Sequence, residues 1–188
     1  MANLILASSS PRRRELLQQL GLYFDVVSPE INESIFRDET IANYVERLAQ
    51  TKAHVVIEKN PDAVVIAADT SIAIDDCILG KPRSKQHAFE MWSMLSGRTH
   101  QVLSGVCVQS KNKKKSIVVS TEVEFQTLTL QDMEEYWRTG EPLGKAGAYA
   151  IQGCAARYIP RIVGSYSNVV GLPLHETAAL LKAFNDDH

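Results

Sequence analysis

Cysteine is scarce and unpatterned in this sequence. Cys77, Cys107 and Cys154 stand far apart with no Cys-x-x-Cys pair, which excludes a disulfide framework or a structural zinc site and fits reduced thiols. An excess of either charge is also missing: 20 Lys and Arg stand against 22 Asp and Glu, a net charge of −2. General affinity for nucleic acid or an anionic membrane is therefore not expected, and any phosphate recognition has to come from locally placed cations. Apolar runs long enough to span a membrane, roughly 18 residues, do not occur. Met1–Ala7 is too short for a signal h-region and lacks a basic start, so the expectation is a soluble cytoplasmic chain without membrane or nucleic-acid partners. Familiar catalytic signatures are absent too. His54, His87, His100, His175 and His188 form no His-Glu-x-x-His pattern, no Gly-x-Ser-x-Gly occurs, and Gly140–Ala146 lacks one spacer and the hydroxyl of a Walker A loop.

What is present is ordinary globular material, 188 residues with 45% hydrophobic and 22% charged, read as a single domain over 1–188 with no repeat and no linker. The centre of the pattern is Ala63–Ala68, an apolar run of strand length followed by Asp69 and Thr70. Without polar alternation it reads as a strand covered on both faces. A carboxylate at the end of such a strand projects into a cleft, a metal or a partner, or else opens a turn.

Around this run the chain reads as strand Leu4–Ala7, a serine turn, and a helix Arg12–Leu20 with Ser10 as N-cap, Pro11 at its first position and Gly21 beyond its end. Tyr23–Val27 reads as a strand and Ser28–Glu39 as an acidic loop that carries Glu30 and Glu33. A helix is expected over Ile41–Lys59, capped by Thr40 and stopped by Asn60-Pro61. Ser71–Ile74 and Cys77–Leu79 flank the turn Asp75-Asp76. A helix runs from the Ser84 cap to Leu95, and strands Gln101–Gln109 and Ser116–Gln126 enclose the basic tip Lys111–Lys115, read as solvated lysine. Thr129 caps a short helix. Gly144–Gly153 is rich in small residues, a composition suited to close approach by a ligand or another backbone. A strand Arg157–Val163, a segment Gly164–Gly171 that opens on the turn-like Gly164-Ser165-Tyr166-Ser167, and a helix Pro173–Phe184 complete the reading.

Several groups in this order point to polyphosphate chemistry. Backbone N–H groups at a helix N-terminus in Ser8-Ser9-Ser10-Pro11, followed by Arg12, Arg13 and Arg14, suit phosphate oxygens, although a plain capped helix with solvated arginines has the same pattern. Lys52 sits among mostly uncharged helix neighbours, Lys81 is held extended by Pro82, and Glu33 with Asp69 offers carboxylate oxygens to a hard divalent cation. Two acids for metal and several cations for a polyphosphate make one chemistry.

Nearly end to end, the chain also resembles the Maf-type nucleoside triphosphate pyrophosphatases. The motifs are Leu6–Arg13, the Glu33 loop, Lys52, Ala68-Asp69-Thr70, Gly80-Lys81-Pro82, Leu95–Gly97, Lys145–Tyr149, Ile151-Gln152-Gly153 and Val170–Pro173. The resemblance implies a mixed α/β fold of the Maf/ITPase-like kind, a mixed β-sheet flanked by helices with two lobes and a central cleft. It also implies hydrolysis of a nucleotide's α–β anhydride, with Mg²⁺, Mn²⁺ or Co²⁺ on Asp69 and Glu33 and a homodimeric state. By the same resemblance Asp69, Glu33, Lys52 and Lys81 are catalytic, Ser8, Ser10 and Arg13 bind phosphate, and Arg12, Thr70 and Gln152 set specificity. Those three residue types match the subgroup acting on dTTP and UTP; the subgroup acting on 7-methyl-GTP differs after the first Pro, after the strand Asp, and in having Glu at the Gln152 position. A Gln amide complements O4 and N3–H of uracil or thymine. Gly144 departs from the family, which often has an acid before Lys-Ala-Gly. The reading of another class is a nucleotide-sensing regulator of cell division and septum formation.

Overall fold

The structure is a computed structural model and describes residues 3–186. Among these, in chain order, are β1 (Leu4–Ala7), α1 (Pro11–Gln18), β2 (Asp25–Val27), α2 (Ile41–Ile57), β3 (Val64–Ile74), β4 (Cys77–Leu79) and α3 (Lys85–Leu95). They are followed by β5 (Thr99–Gln109), β6 (Lys114–Glu124), α4 (Leu130–Arg138), β7 (Arg161–Val163), α5 (Tyr166–Val170) and α6 (Leu174–Asp186). The sheet is mixed, with strand order β2-β1-β3-β5-β6-β7 and β4 paired to β3. β1 runs parallel to β2 and β3, while the β3–β4 and β6–β7 pairs are antiparallel. The mixed α/β architecture expected from the sequence is the one observed. None of the described helices is long and apolar enough to cross a membrane.

Local chemistry accounts for the helix boundaries. Ser10 accepts from the Arg13 N–H, Thr40 from Asn43 and Ser84 from His87, each satisfying a first-turn donor. Thr129 and Asp132 form a full capping box at α4.

The chain divides into two compact units, one containing the residues through Thr70, Ser104–Val119 and the chain from Gly171 on, the other Ser71–Leu103 and Ser120–Val170. Each has its own core. In the first, Ala49, Ala53 and Val56 of α2 bury against Ile5, Val65 and Ala67. Gly105 is required there, because a Cβ would come 2.3 Å from the Val45 carbonyl oxygen. In the second, Trp92, Phe125, Met133, Tyr136, Tyr149 and Tyr158 form an aromatic core.

Four sequence expectations are corrected. β3 does not end at Asp69: it continues through Ile74 and turns at Asp75-Asp76, both at positive φ, into β4. A charged residue is tolerated inside the strand because it has a buried cationic partner. The strand expected over Arg157–Val163 starts only at Arg161, since Cys154–Tyr158 is a 3₁₀ turn whose first N–H groups are bound by Glu141. Tyr166–Val170 is helical and not a simple turn. The basic tip is also more than solvated lysine, because Lys113 and Lys115 donate to the Phe184 and Ala183 carbonyls in the last turn of α6.

Candidate active site

α2 brings one cation to two acids. Its apolar side buries Tyr44, Val45, Leu48, Ala49, Ala53 and Val56, and Lys52 lies on the same side, 7% exposed. The Lys52 ammonium stands 2.7 Å from Asp69 Oδ1 and 2.8 Å from Glu33 Oε1. Asp69 is itself only 7% exposed, so the pair is buried and the bridge to the more exposed Glu33 leads outward from it. Removing either member of the buried pair would strand the other, which ties the position of Asp69 to that of Lys52.

The Glu33 loop is held from α2. Tyr44 donates its hydroxyl to the Glu33 carbonyl at 2.9 Å, and Arg47 donates to the Ser34 carbonyl at 2.9 Å. Arg47 also pairs with Glu39 at 2.6 Å and lies over the Phe36 ring at 3.8 Å. Burial, with the charges of Asp69 and Glu33, pushes the Tyr44 phenol up to about 12, so it stays a donor at neutral pH. The hydrogen bond to Arg47 draws the Glu39 carboxyl below its ordinary range.

Beside Asp69, Thr70 carries a second cluster. Its hydroxyl accepts from Arg13 Nη2 at 3.0 Å, lies 2.7 Å from the Ser104 hydroxyl and donates to the Gly171 carbonyl at 3.2 Å. Arg13 Nε donates to the same carbonyl at 2.8 Å and Nη1 reaches the Ser8 hydroxyl at 3.5 Å. Ser8 in turn accepts from the Ser10 N–H at 3.2 Å, and Ser10 caps α1. Burial lowers the pKa of the Arg13 guanidinium from its ordinary value while Asp69 opposes the shift. Arg12 is half-buried in the first turn of α1 and adds a second positive charge beside Arg13.

In the first unit, then, Asp69, Glu33 and Lys52 come together, as do Ser8, Ser10, Arg13 and Thr70. Lys81 and Gln152 belong to the second unit. Both are exposed, and the loop of Lys81 is tied to the turn before Gln152 by the Gly147 N–H on the Gly80 carbonyl at 3.0 Å. The sequence reading missed Tyr44, Ser104 and the Gly171 carbonyl. Ser104, fully buried, left one trace, a polar residue followed by glycine inside an otherwise apolar strand. Gly171 stood within the Val170–Pro173 motif without a role of its own.

The acids suit a hard divalent cation, because an oxygen of each already faces the same positive charge on Lys52. Among the described residues no third His, Cys, Asp or Glu completes a metal-holding group. Mg²⁺ commonly takes one or two carboxylates and fills its remaining positions with water and substrate phosphate, which this pair matches.

A family model described as "Maf-like protein" matches residues 3–184. The chain belongs to that family. It is 63% identical to the dTTP/UTP pyrophosphatase of Acinetobacter baylyi, over 96% of this chain and 100% of that protein. It is 49% identical to the dTTP/UTP pyrophosphatase of Bacillus pumilus, over 98% of this chain and 97% of that one. Among solved structures, the Staphylococcus aureus Ham1 protein aligns with a TM-score of 0.50 at 12% identity, covering 65% of this chain and 71% of that chain, a likeness of fold.

Proposed function

We propose that this protein is a nucleoside triphosphate pyrophosphatase that cleaves the α–β anhydride of dTTP and UTP to the monophosphate and pyrophosphate. Membership of the Maf-like family and near full-length similarity to dTTP/UTP pyrophosphatases support the reading over a nucleotide-sensing regulator. The observation that carries it is the Lys52 bridge between Asp69 and Glu33, next in the chain to the Thr70–Arg13 cluster. Attack at a phosphorus atom spreads charge over several oxygens, and preorganised cations and dipoles stabilise that charge more than a strong nucleophile would.

Each residue has a duty in this reading. Arg13, oriented by Thr70 and the Gly171 carbonyl, binds phosphate oxygens with the N–H groups of the serine turn, and Lys81 is a further cation for phosphate. Lys52 holds Asp69 in register with Glu33, and Asp69 orients the attacking water. Asp69 and Glu33 would hold Mg²⁺, Mn²⁺ or Co²⁺, which supplies charge neutralisation at the phosphates. Gln152 reads the pyrimidine edge, with Arg12 positioning the nucleotide. Thr70 acts through Arg13 on phosphate binding and not on the choice of base, since its hydroxyl is already engaged there. A cytoplasmic location, supported by the free cysteines, and a homodimeric state belong to the same proposal.

The test is a panel of pyrimidine, purine and modified triphosphates, with and without each divalent ion, scored separately for pyrophosphate and phosphate. Metal-dependent pyrophosphate release with preference for dTTP and UTP is expected. Nucleotide binding without pyrophosphate release would favour the regulator.

A further inference from the structure

The Gln152 side chain makes no hydrogen bond among the described residues and is exposed, yet the backbone around it is tied on both sides. On one side the Ala150 N–H donates to the Tyr136 hydroxyl at 3.1 Å. On the other, the Cys154 and Ala155 N–H groups donate to Glu141 at 2.8 and 3.3 Å. The two anchors are one unit, because the Tyr136 hydroxyl donates to Glu141 Oε1 at 2.6 Å. Gly153 makes the approach possible, since a Cβ there would lie 2.0 Å from Glu141 Oε2.

Two facts set this pair apart from ordinary loop packing. Tyr136 is 4% exposed in the aromatic core and packs tilted, ring centroids 5.2 Å apart, against Trp92, whose indole N–H holds the Ala148 carbonyl at 3.0 Å. The bound turn is thus referenced to a rigid core. Glu141 is partly buried, which pushes its carboxyl up, but the Tyr136 hydroxyl and the two backbone N–H groups outweigh burial and hold it below the ordinary range. It remains an acceptor through neutral pH.

We infer that Tyr136 and Glu141 are positioning residues for pyrimidine discrimination, clamping residues 150–155 so that the Gln152 amide is presented in one orientation. This rests on the reading that Gln152 contacts the base. A small offset of an oriented group is costly to specificity, so the clamp acts on substrate choice without touching substrate.

The test uses Tyr136→Phe, Glu141→Gln, Glu141→Ala and Gln152→Ala, with Tyr136→Phe and Gln152→Ala also combined. Steady-state kinetics are taken with UTP, dTTP and GTP, alongside thermal stability and amide exchange over residues 150–155. Tyr136→Phe is expected to lose about tenfold in kcat/KM for UTP and dTTP, mostly through KM, with GTP changed less than twofold and exchange at Cys154 accelerated. In the combined variant the Tyr136 change should cost nothing beyond Gln152→Ala alone. Glu141→Gln, which keeps one carbonyl oxygen for a backbone N–H, should recover much of the loss seen in Glu141→Ala. Equal losses for all three nucleotides in Tyr136→Phe, or a full additional loss in the combined variant, would overturn the proposal. If Gln152→Ala alone lost activity uniformly, the base reading would fall while the coupling between Tyr136 and Gln152 still decided the clamp. If Tyr136→Phe proved too unstable to assay, Glu141→Ala combined with Gln152→Ala decides the same question by the same absence or presence of an additional loss.

Discussion

The two units solve the problem of holding a functional group in opposite ways. In the first, charged side chains on regular elements are fixed by one another: Lys52 of α2 meets Asp69 of β3 and Glu33, while Arg13 of α1 is fixed by Thr70 and a backbone carbonyl. In the second, the backbone of the irregular turn that carries Gln152 is fixed by neutral hydrogen bonds and one carboxylate, all rooted in an aromatic core. Charges on regular elements stabilise a developing phosphate charge strongly and are sensitive to loss of any partner. Aromatic anchoring controls orientation, where errors are small in energy and large in selectivity.

The contrast is broken most severely at Asp69. Asp69→Asn is expected to reduce kcat by two or more orders of magnitude, roughly 3 kcal/mol or more, with nucleotide affinity largely kept. Turnover within threefold of the parent, measured as pyrophosphate release, would remove Asp69 from the chemistry.

In the second unit the vulnerable group is a neutral histidine. His100 is 1% exposed, its Nε2 lies 2.7 Å from the Tyr149 hydroxyl, and its buried Nδ1 has no hydrogen-bond partner among the described residues. Burial depresses its pKa to about 4. The unfolded chain, with an ordinary imidazole near 6.5, binds the proton first on acidification. Stability is therefore complete above about pH 6.5 and falls towards pH 4, by roughly 3 kcal/mol at most. Urea unfolding at pH 7 and pH 4.5 should show a smaller acid loss in His100→Gln than in the parent. An identical loss in both would refute the assignment.

Thr70→Val sharpens the comparison because it removes a hydroxyl and keeps the shape. Arg13 loses an acceptor and Ser104 a partner, so kcat/KM should fall about tenfold, or about 1.4 kcal/mol. The fall should be similar for pyrimidine and purine triphosphates, since Thr70 acts through a phosphate-binding cation. A loss confined to pyrimidines would place Thr70 at the base instead.

The smallest effects separate tethered from solvated cations. Arg13→Ala should lower both activity and thermal stability, the latter by about 1 kcal/mol, because it abandons bonds to Gly171 and Thr70. Lys81→Ala should lower activity with stability changed by less than about 0.5 kcal/mol. Equal stability losses in the two variants would contradict the placement of Lys81.

What was legible in the sequence follows the same division. Caps at Ser10, Thr40, Ser84 and Thr129, and the apolar periodicity of α2, are local signals and read correctly, whereas the burial of Lys52 on that side was not read. The Asp69 strand was legible as buried but not in its length, because Asp inside a strand reads as a stop unless its partner Lys52 is known. Cys154–Tyr158 read as extended because its turn depends on Glu141, far from it in pattern though near in space. Ser104 and Tyr44 act through side-chain hydrogen bonds to residues distant in sequence, which leave no periodic trace.

The position of attack is the most direct test of the proposed chemistry. Turnover of UTP in H₂¹⁸O, with the label located by mass spectrometry, reports which phosphorus receives the water oxygen. Attack at the α-phosphorus puts ¹⁸O in UMP and leaves the pyrophosphate unlabelled, the expected result. Label in the pyrophosphate with unlabelled UMP, or release of labelled inorganic phosphate and UDP, would contradict it.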